Sequence, residues 1–106
     1  MIRGQNNLNN CQFLGKLTHP PETETENGVI VLRFELEIEE FRKDKSGEKK
    51  RSLVFLEFEA WDTAALAIEK YAEEGALMLV ESSARNYQNA EVIETYFRVN
   101  SFKILH

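Results

Sequence analysis

At 106 residues, 42% apolar and 29% charged, the chain has the size and composition of one soluble domain with a single core. Its net charge of −5 weighs weakly against nucleic acid as a partner, and its lone cysteine, Cys11, rules out an internal disulfide and points to a reducing compartment. His19 and His106 are the only histidines, so no zinc-type ligand set is expected and no metal or cofactor is implied. The opening residues lack the apolar segment of a secretory signal, and no apolar run approaches the ~20 residues of a membrane span.

Residues 1–9 are rich in Asn and Gln and read as a flexible lead-in, able to close onto a sheet edge, with one domain over 10–106. Asn10 to Leu17 reads as a strand, with Gly15 at a bulge or a close backbone approach, and His19-Pro20-Pro21 ends it. Glu22 to Gly28 is a polar connection closed by the turn dipeptide Asn27-Gly28. Leu32, Phe34, Leu36 and Ile38 then alternate with Arg33, Glu35, Glu37 and Glu39, the period of a half-buried strand.

A ten-residue charged loop, Arg42 to Arg51, separates this strand from a second alternating run. There Val54, Leu56, Phe58 and Ala60 take one face, and Phe55, Glu57, Glu59 and Trp61 the other, which makes the pair an extended hairpin. A helix follows from Ala64 to Glu74, capped by Asp62 or Thr63 and stopped by Gly75, with Ala64, Ile68, Tyr71 and Ala72 on its inner face. Leu77 to Arg85 is a fourth strand, Gln88-Asn89-Ala90 a turn, and Val92 to Ile104 a fifth strand. In the last, Ile93, Thr95, Phe97 and Val99 are in phase, and a slip at Asn100-Ser101 brings in Phe102 and Ile104. The order β-β-β-α-β-β, all-β with one helix between strands three and four, is that of a five-stranded OB-fold barrel. An open five-stranded sandwich satisfies the same pattern.

Charge and aromatics concentrate in the hairpin. Its loop carries six cations, Arg42, Lys43, Lys45, Lys49, Lys50 and Arg51, against Asp44 and Glu48, so it is +4 on a chain whose remainder is −9. Screening confines fields to about 8 Å at physiological salt, so this local excess counts for more than the sum. By strand parity Phe41, Phe55 and Trp61 fall on the polar, outward face. Aromatics beside a basic groove suit the stacking of unpaired bases, at about 1–3 kcal/mol each and without sequence preference. The competing explanation is an oligomer interface or ring edges covered by loops.

The same parity raises an electrostatic objection. Glu35, Glu37, Glu39, Glu57 and Glu59 share that face and would repel phosphates. If Phe41 and Phe55 were cross-strand neighbours, Glu39 would oppose Glu57 and Glu37 would oppose Glu59, at up to about 1 kcal/mol per pair. A slipped register, an intervening cation such as Arg33, or a face partly out of contact would each resolve this. Catalysis has no comparable support. Cys11 and His19 form no nucleophile–base motif, no carboxylate pair stands out, and the five glycines make no phosphate loop.

These residues resemble the bacterial-type single-stranded DNA-binding proteins over about residues 9–104. The carriers are Asn10 to Leu17 with Pro21-Glu22, the turn Asn27-Gly28, the segment Phe41-Arg42-Lys43-Asp44-Lys45-Ser46-Gly47-Glu48, then Trp61, the helix to Gly75, and Val80-Glu81. The resemblance implies a non-enzymatic OB-fold protein that binds single-stranded DNA in replication, recombination or repair, as a homotetramer or a dimer. It implies a place in the cytoplasm, at the nucleoid of a bacterium or in the service of a phage.

Base-stacking aromatics would then be Phe41, Phe55 and Trp61, with Tyr87 nearest to the family's last stacking position. Cations on the DNA would be Arg33, Arg42, Lys43, Lys45, Lys49, Lys50, Arg51 and Arg85. Three departures stand out. Phe replaces the usual Trp at Phe41 and Phe55, Glu57 stands at a typically basic position, and no acidic tail follows His106. Partners recruited through such a tail are accordingly not expected. A tailless primosomal replication accessory protein, a phage relative, or an OB-fold protein-interaction module fits the same features.

Overall fold

The computed structural model describes residues 7–89 and 91–105. Most of the lead-in, Ala90 of the expected turn, and His106 lie outside that range. Six strands and one helix follow in order: β1 (Cys11–Leu17), β2 (Thr23–Glu26), β3 (Val29–Lys43), β4 (Lys49–Trp61), α1 (Asp62–Tyr71), β5 (Leu77–Asn89) and β6 (Val92–Leu105). The sheet runs β1-β5-β6-β4-β3-β2, and β1 also pairs with β3, closing five of the strands into a barrel. This is the expected OB-fold, not an open sandwich.

The alternating residues of β3 and β4 supply the core. Leu32, Leu36 and Ala60 are fully buried, Phe34 and Phe58 stack with centroids 5.3 Å apart, and Phe13 meets Phe58 edge-on. Met78 and Val80 of β5 complete the interior, and α1 lays Ala65 and Ile68 over the barrel end. Parity along a pleated strand suffices to explain these positions.

Gly15 sits where β1 leaves β5 to pair with β3. A Cβ there would lie 2.8 Å from the Glu37 carbonyl oxygen and 2.9 Å from Cγ1 of Ile38. The expected close approach is therefore present, and a backbone oxygen cannot yield. Gly15→Ala should cost about 1–3 kcal/mol through overpacking. Thermal unfolding would register this as a Tm several degrees lower, and an unchanged Tm would contradict the crowding.

Several local expectations are corrected. The polar connection is in part a strand, because Thr23–Glu26 pairs with Val29–Leu32 around Asn27-Gly28. Both turn residues have positive φ, 51° and 80°, the geometry of a two-residue hairpin turn. With β2 counted, the helix lies between β4 and β5. The charged loop shrinks to residues 44–48, because Lys43 still pairs with Lys49.

The helix opens at Asp62, itself in the left-handed region at φ 51°, after Trp61, whose side chain makes no cap bond. It ends at Tyr71 rather than Glu74, with Ala72 already extended. Its buried stripe is centred on Ala65, Ile68 and Ala72, which leaves Tyr71 exposed at the margin. Gln88 and Asn89, expected in a turn, continue β5. Ile93 is exposed rather than inward, because the β5–β6 hairpin runs on past the barrel. The slip near Asn100 is a bulge: Glu81 faces Ser101 and Ser82 faces Val99, leaving Asn100 unpaired. Two residues along β5 from this bulge, Asn9 bonds both backbone groups of Ala84 through its side-chain amide, tying residue 9 to β5.

Candidate nucleic-acid interface

The outward face of the β3–β4 hairpin presents its aromatics at intervals. Trp61 faces Val31 at the barrel end, Phe55 faces Glu37, and Phe41 faces Arg51 near the tip. All three are substantially exposed, at 42%, 51% and 53%. Six residues separate Trp61 from Phe55, about 20 Å along a strand, and Phe41 lies four rungs farther on, about 13 Å. The three rings therefore form a row rather than a cluster, and Phe41 and Phe55 are not cross-strand neighbours. Glu35 is the only one of the glutamates on this face that directly opposes another, Glu57.

The tip is held by Asp44. Its Oδ1 accepts bonds from the backbone N–H groups of Ser46 and Glu48 and from the Ser46 hydroxyl. The Ser46 hydroxyl, then the Glu48 amide, hold this carboxyl below its ordinary pKa. Gly47, at φ 85°, closes the turn. Lys50 lies 3.9 Å from Asp44, and Arg51 pairs with Glu39. Lys49 places its ammonium 4.5 Å from the centroid of the Phe41 ring. Among the described residues, Arg42, Lys43, Lys45 and Lys49 are exposed with no carboxylate within ion-pair distance.

At the barrel end a buried carboxylate gathers the remaining groups. Glu59 is only 4% exposed although its parity is that of the outward face. Its Oε2 lies 3.1 Å from Arg33 Nε and accepts from the Tyr87 hydroxyl at 2.8 Å. Its Oε1 accepts from Trp61 Nε1 at 2.7 Å and lies 3.8 Å from Arg98 Nε. Arg33 also makes a forked pair with Glu26, at 2.5 and 3.0 Å. That pair, with the Tyr87 bond second, holds the guanidinium more firmly protonated than usual, and the same pair lowers the Glu26 pKa. Burial, opposed by the Arg33 bond, raises the Tyr87 phenol. Arg98 stacks its guanidinium 3.6 Å from the Trp61 centroid, and Tyr87 stacks on Tyr96 at 4.1 Å.

A model of the single-strand binding protein family matches residues 8–96. The chain belongs to this family. A Plasmodium falciparum single-strand binding protein, solved in complex with single-stranded DNA, superposes with a TM-score of 0.84 at 22% identity, covering 97% of this chain and 99% of that one. The wild-type single-stranded DNA binding protein from Thermus aquaticus gives 0.83 at 21% identity, covering 93% of this chain and 50% of that one. A deletion mutant of the Thermus protein gives 0.82 at 21%, covering 93% and 51%. This chain thus spans about half the length of the Thermus chains, and at these identities the likeness is one of fold. No curated protein matches the chain at a significant level.

Within this single-strand binding fold the expected site residues divide into two groups. Arg33, Trp61 and Tyr87 converge on Glu59, and Arg85 faces Tyr96 across the β5–β6 ladder on the same side. Phe41, Arg42, Lys43, Lys45, Lys49, Lys50, Arg51 and Phe55 lie along the hairpin arm and its tip. Tyr96 and Arg98 escaped the sequence reading, and Glu59 enters it only as an outward carboxylate that would repel phosphates. Parity in β6 does put Tyr96 and Arg98 opposite Phe97 and Val99, but only the parallel pairing of Glu59 with Arg98 joins them to Trp61. Among the described residues no helix is long and apolar enough to cross a membrane.

Proposed function

We propose that this chain binds single-stranded DNA without strong sequence preference and without catalysis, in replication, recombination or repair. The strand would run along the outward face of the hairpin, stacking bases on Trp61, Phe55 and Phe41, with phosphates near Arg42, Lys43, Lys45 and Lys49. The observation that carries this reading is the row of three exposed rings on one face, leading to unpaired cations at its far end. Membership of the single-strand binding family supports it. The carboxylate objection weakens here, because Arg33 and Arg98 surround Glu59 and Arg51 holds Glu39. Glu35, Glu37 and Glu57 are left as a stretch from Phe55 toward Trp61 that phosphates should avoid.

The partner is single-stranded DNA and, in this reading, further copies of the chain, as a dimer or tetramer. Residues 10–106 are the binding domain, with 1–9 as lead-in, and the setting is a bacterial nucleoid or a phage.

Trp61 is the only tryptophan, so its fluorescence reports directly on the platform. Titration with oligo-dT should quench it reversibly. Four unpaired cations set a slope of log affinity against log salt of about −3, at roughly −0.7 per phosphate on a single strand. Unchanged fluorescence together with no gel shift at low salt would overturn the proposal.

A further inference from the structure

An exposed indole on a strand ordinarily swings between rotamers, and a base that stacks on it must bear the cost of stopping that motion. Trp61 is held on two sides before any ligand arrives. Its N–H donates to Glu59 Oε1 at 2.7 Å, which fixes the ring edge, and the Arg98 guanidinium covers one face at 3.6 Å. Parity already puts Glu59 beside Trp61 on one face of β4, but the Arg98 hold depends on the tertiary pairing of β6 with β4 at Phe58–Phe97 and Glu59–Arg98.

The chemistry of the two holders is unusual for a surface that meets phosphates. Glu59 is a carboxylate almost wholly buried on that surface, and burying a charge is costly unless it is paired and hydrogen-bonded. Arg33, Arg98, Tyr87 and Trp61 together meet that need. Arg98 in turn leaves its buried Nε without a hydrogen-bond partner among the described residues and holds its guanidinium carbon over the indole. A planar, weakly hydrated guanidinium is suited to such stacking, whereas an ammonium is not.

We infer that Glu59 and Arg98 are positioning residues that lock Trp61 as a one-sided stacking platform, its open face ready for a base. The inference rests on the proposed binding of single-stranded DNA, but the locking itself is a property of the free protein. Glu59 touches no base or phosphate in this arrangement; it acts through the ring it holds. Removing its charge therefore sets two effects against each other. Plain electrostatics predicts that Glu59→Gln binds a polyanion more tightly, whereas loss of the lock predicts weaker binding.

The experiment uses the full chain carrying Glu59→Gln, Arg98→Met or Arg98→Lys, with Trp61 anisotropy measured free and during oligo-dT titration at two salt concentrations. In all three variants the free-state anisotropy should fall and oligo-dT should bind about fivefold more weakly, the low end of one stacked base. The salt slope should match the wild type, because every phosphate keeps its cation. Arg98→Lys keeps the charge yet should not restore the wild-type values.

Unchanged anisotropy with equal or tighter binding in Glu59→Gln would overturn the inference. So would a slope shallower by about 0.7 in Arg98→Met, which would make Arg98 a phosphate ligand. If Glu59→Gln does not melt cooperatively, the Arg98 variants decide, since that side chain is partly exposed and leaves the core intact. Failure of the wild type to bind oligo-dT would end the proposed function, and free-state anisotropy would still decide the lock.

Discussion

Lys49→Glu combined with Lys50→Glu should weaken binding to single-stranded DNA on the order of ten- to hundredfold at low salt, equally on oligo-dT, oligo-dC and mixed sequence. The two lysines stand at the hairpin end, where Lys43 faces Lys49 and Arg42 faces Lys50. Lys49 has no carboxylate partner among the described residues, so its charge is open to a phosphate. Lys50 is 3.9 Å from Asp44, and a glutamate there would face that carboxylate directly. The double change therefore removes cations, adds anions and takes away the ammonium that lies over Phe41. Its signature is a salt slope shallower by about 0.7 for each phosphate that is no longer neutralised. Filter binding on the three oligonucleotides at two salt concentrations measures both quantities. Loss confined to one sequence would contradict a backbone role, since phosphates carry no base identity.

Phe41→Ala combined with Phe55→Ala should cost about 2–6 kcal/mol of binding, from two stacked bases at about 1–3 kcal/mol each. Four rungs of ladder separate the two positions, so their effects should add. Both rings are about half exposed and neither belongs to the core, so the melting temperature should scarcely move. Charge is untouched, which leaves the salt slope near its wild-type value. Trp61 quenching should still be seen, at proportionately higher oligonucleotide concentration. This pairing of weak binding with unaltered slope and stability separates stacking from the electrostatic variant above. Wild-type affinity in the double variant would place the strand away from the hairpin arm, around Trp61, Tyr87 and Arg85.

The two variants also test the division of labour along the face. From the tip inward, the surface passes from unpaired cations to spaced rings, then to the Glu35–Glu57 pair, and ends at the Glu59 cluster. Arg33 and Arg51, expected among the DNA-binding cations, are already engaged with carboxylates. Their substitution should affect binding through Trp61 and the hairpin rather than through phosphates. Positive charge is thus less confined to the loop than its sequence position suggested, because the strands run on through Lys43 and Lys49.

The sequence by itself determined the period-two strands, the hairpin, the order of elements with one helix among them, the turn at Asn27-Gly28, a special backbone position at Gly15 and the slip near Asn100. It also placed Phe41, Phe55 and Trp61 outward. All of these follow from parity, turn chemistry and missing side-chain volume, which are properties of a few adjacent residues. Tertiary structure alone decided that Thr23–Glu26 pairs as an edge strand, that Tyr71 and Ile93 face solvent, and that the rings are spaced rather than paired. It alone decided that Glu59, outward by parity, is buried. Parity assigns a residue to a side of the sheet, but not what will cover it there. Cover at Glu59 comes from Arg33 of β3, Trp61 of β4, Tyr87 of β5 and Arg98 of β6, the last brought in where β6 closes the barrel against β4 through only two residue pairs, Phe58–Phe97 and Glu59–Arg98. That closure joins residues 39 apart in the chain, and it turns an apparently repulsive glutamate into the centre of the site.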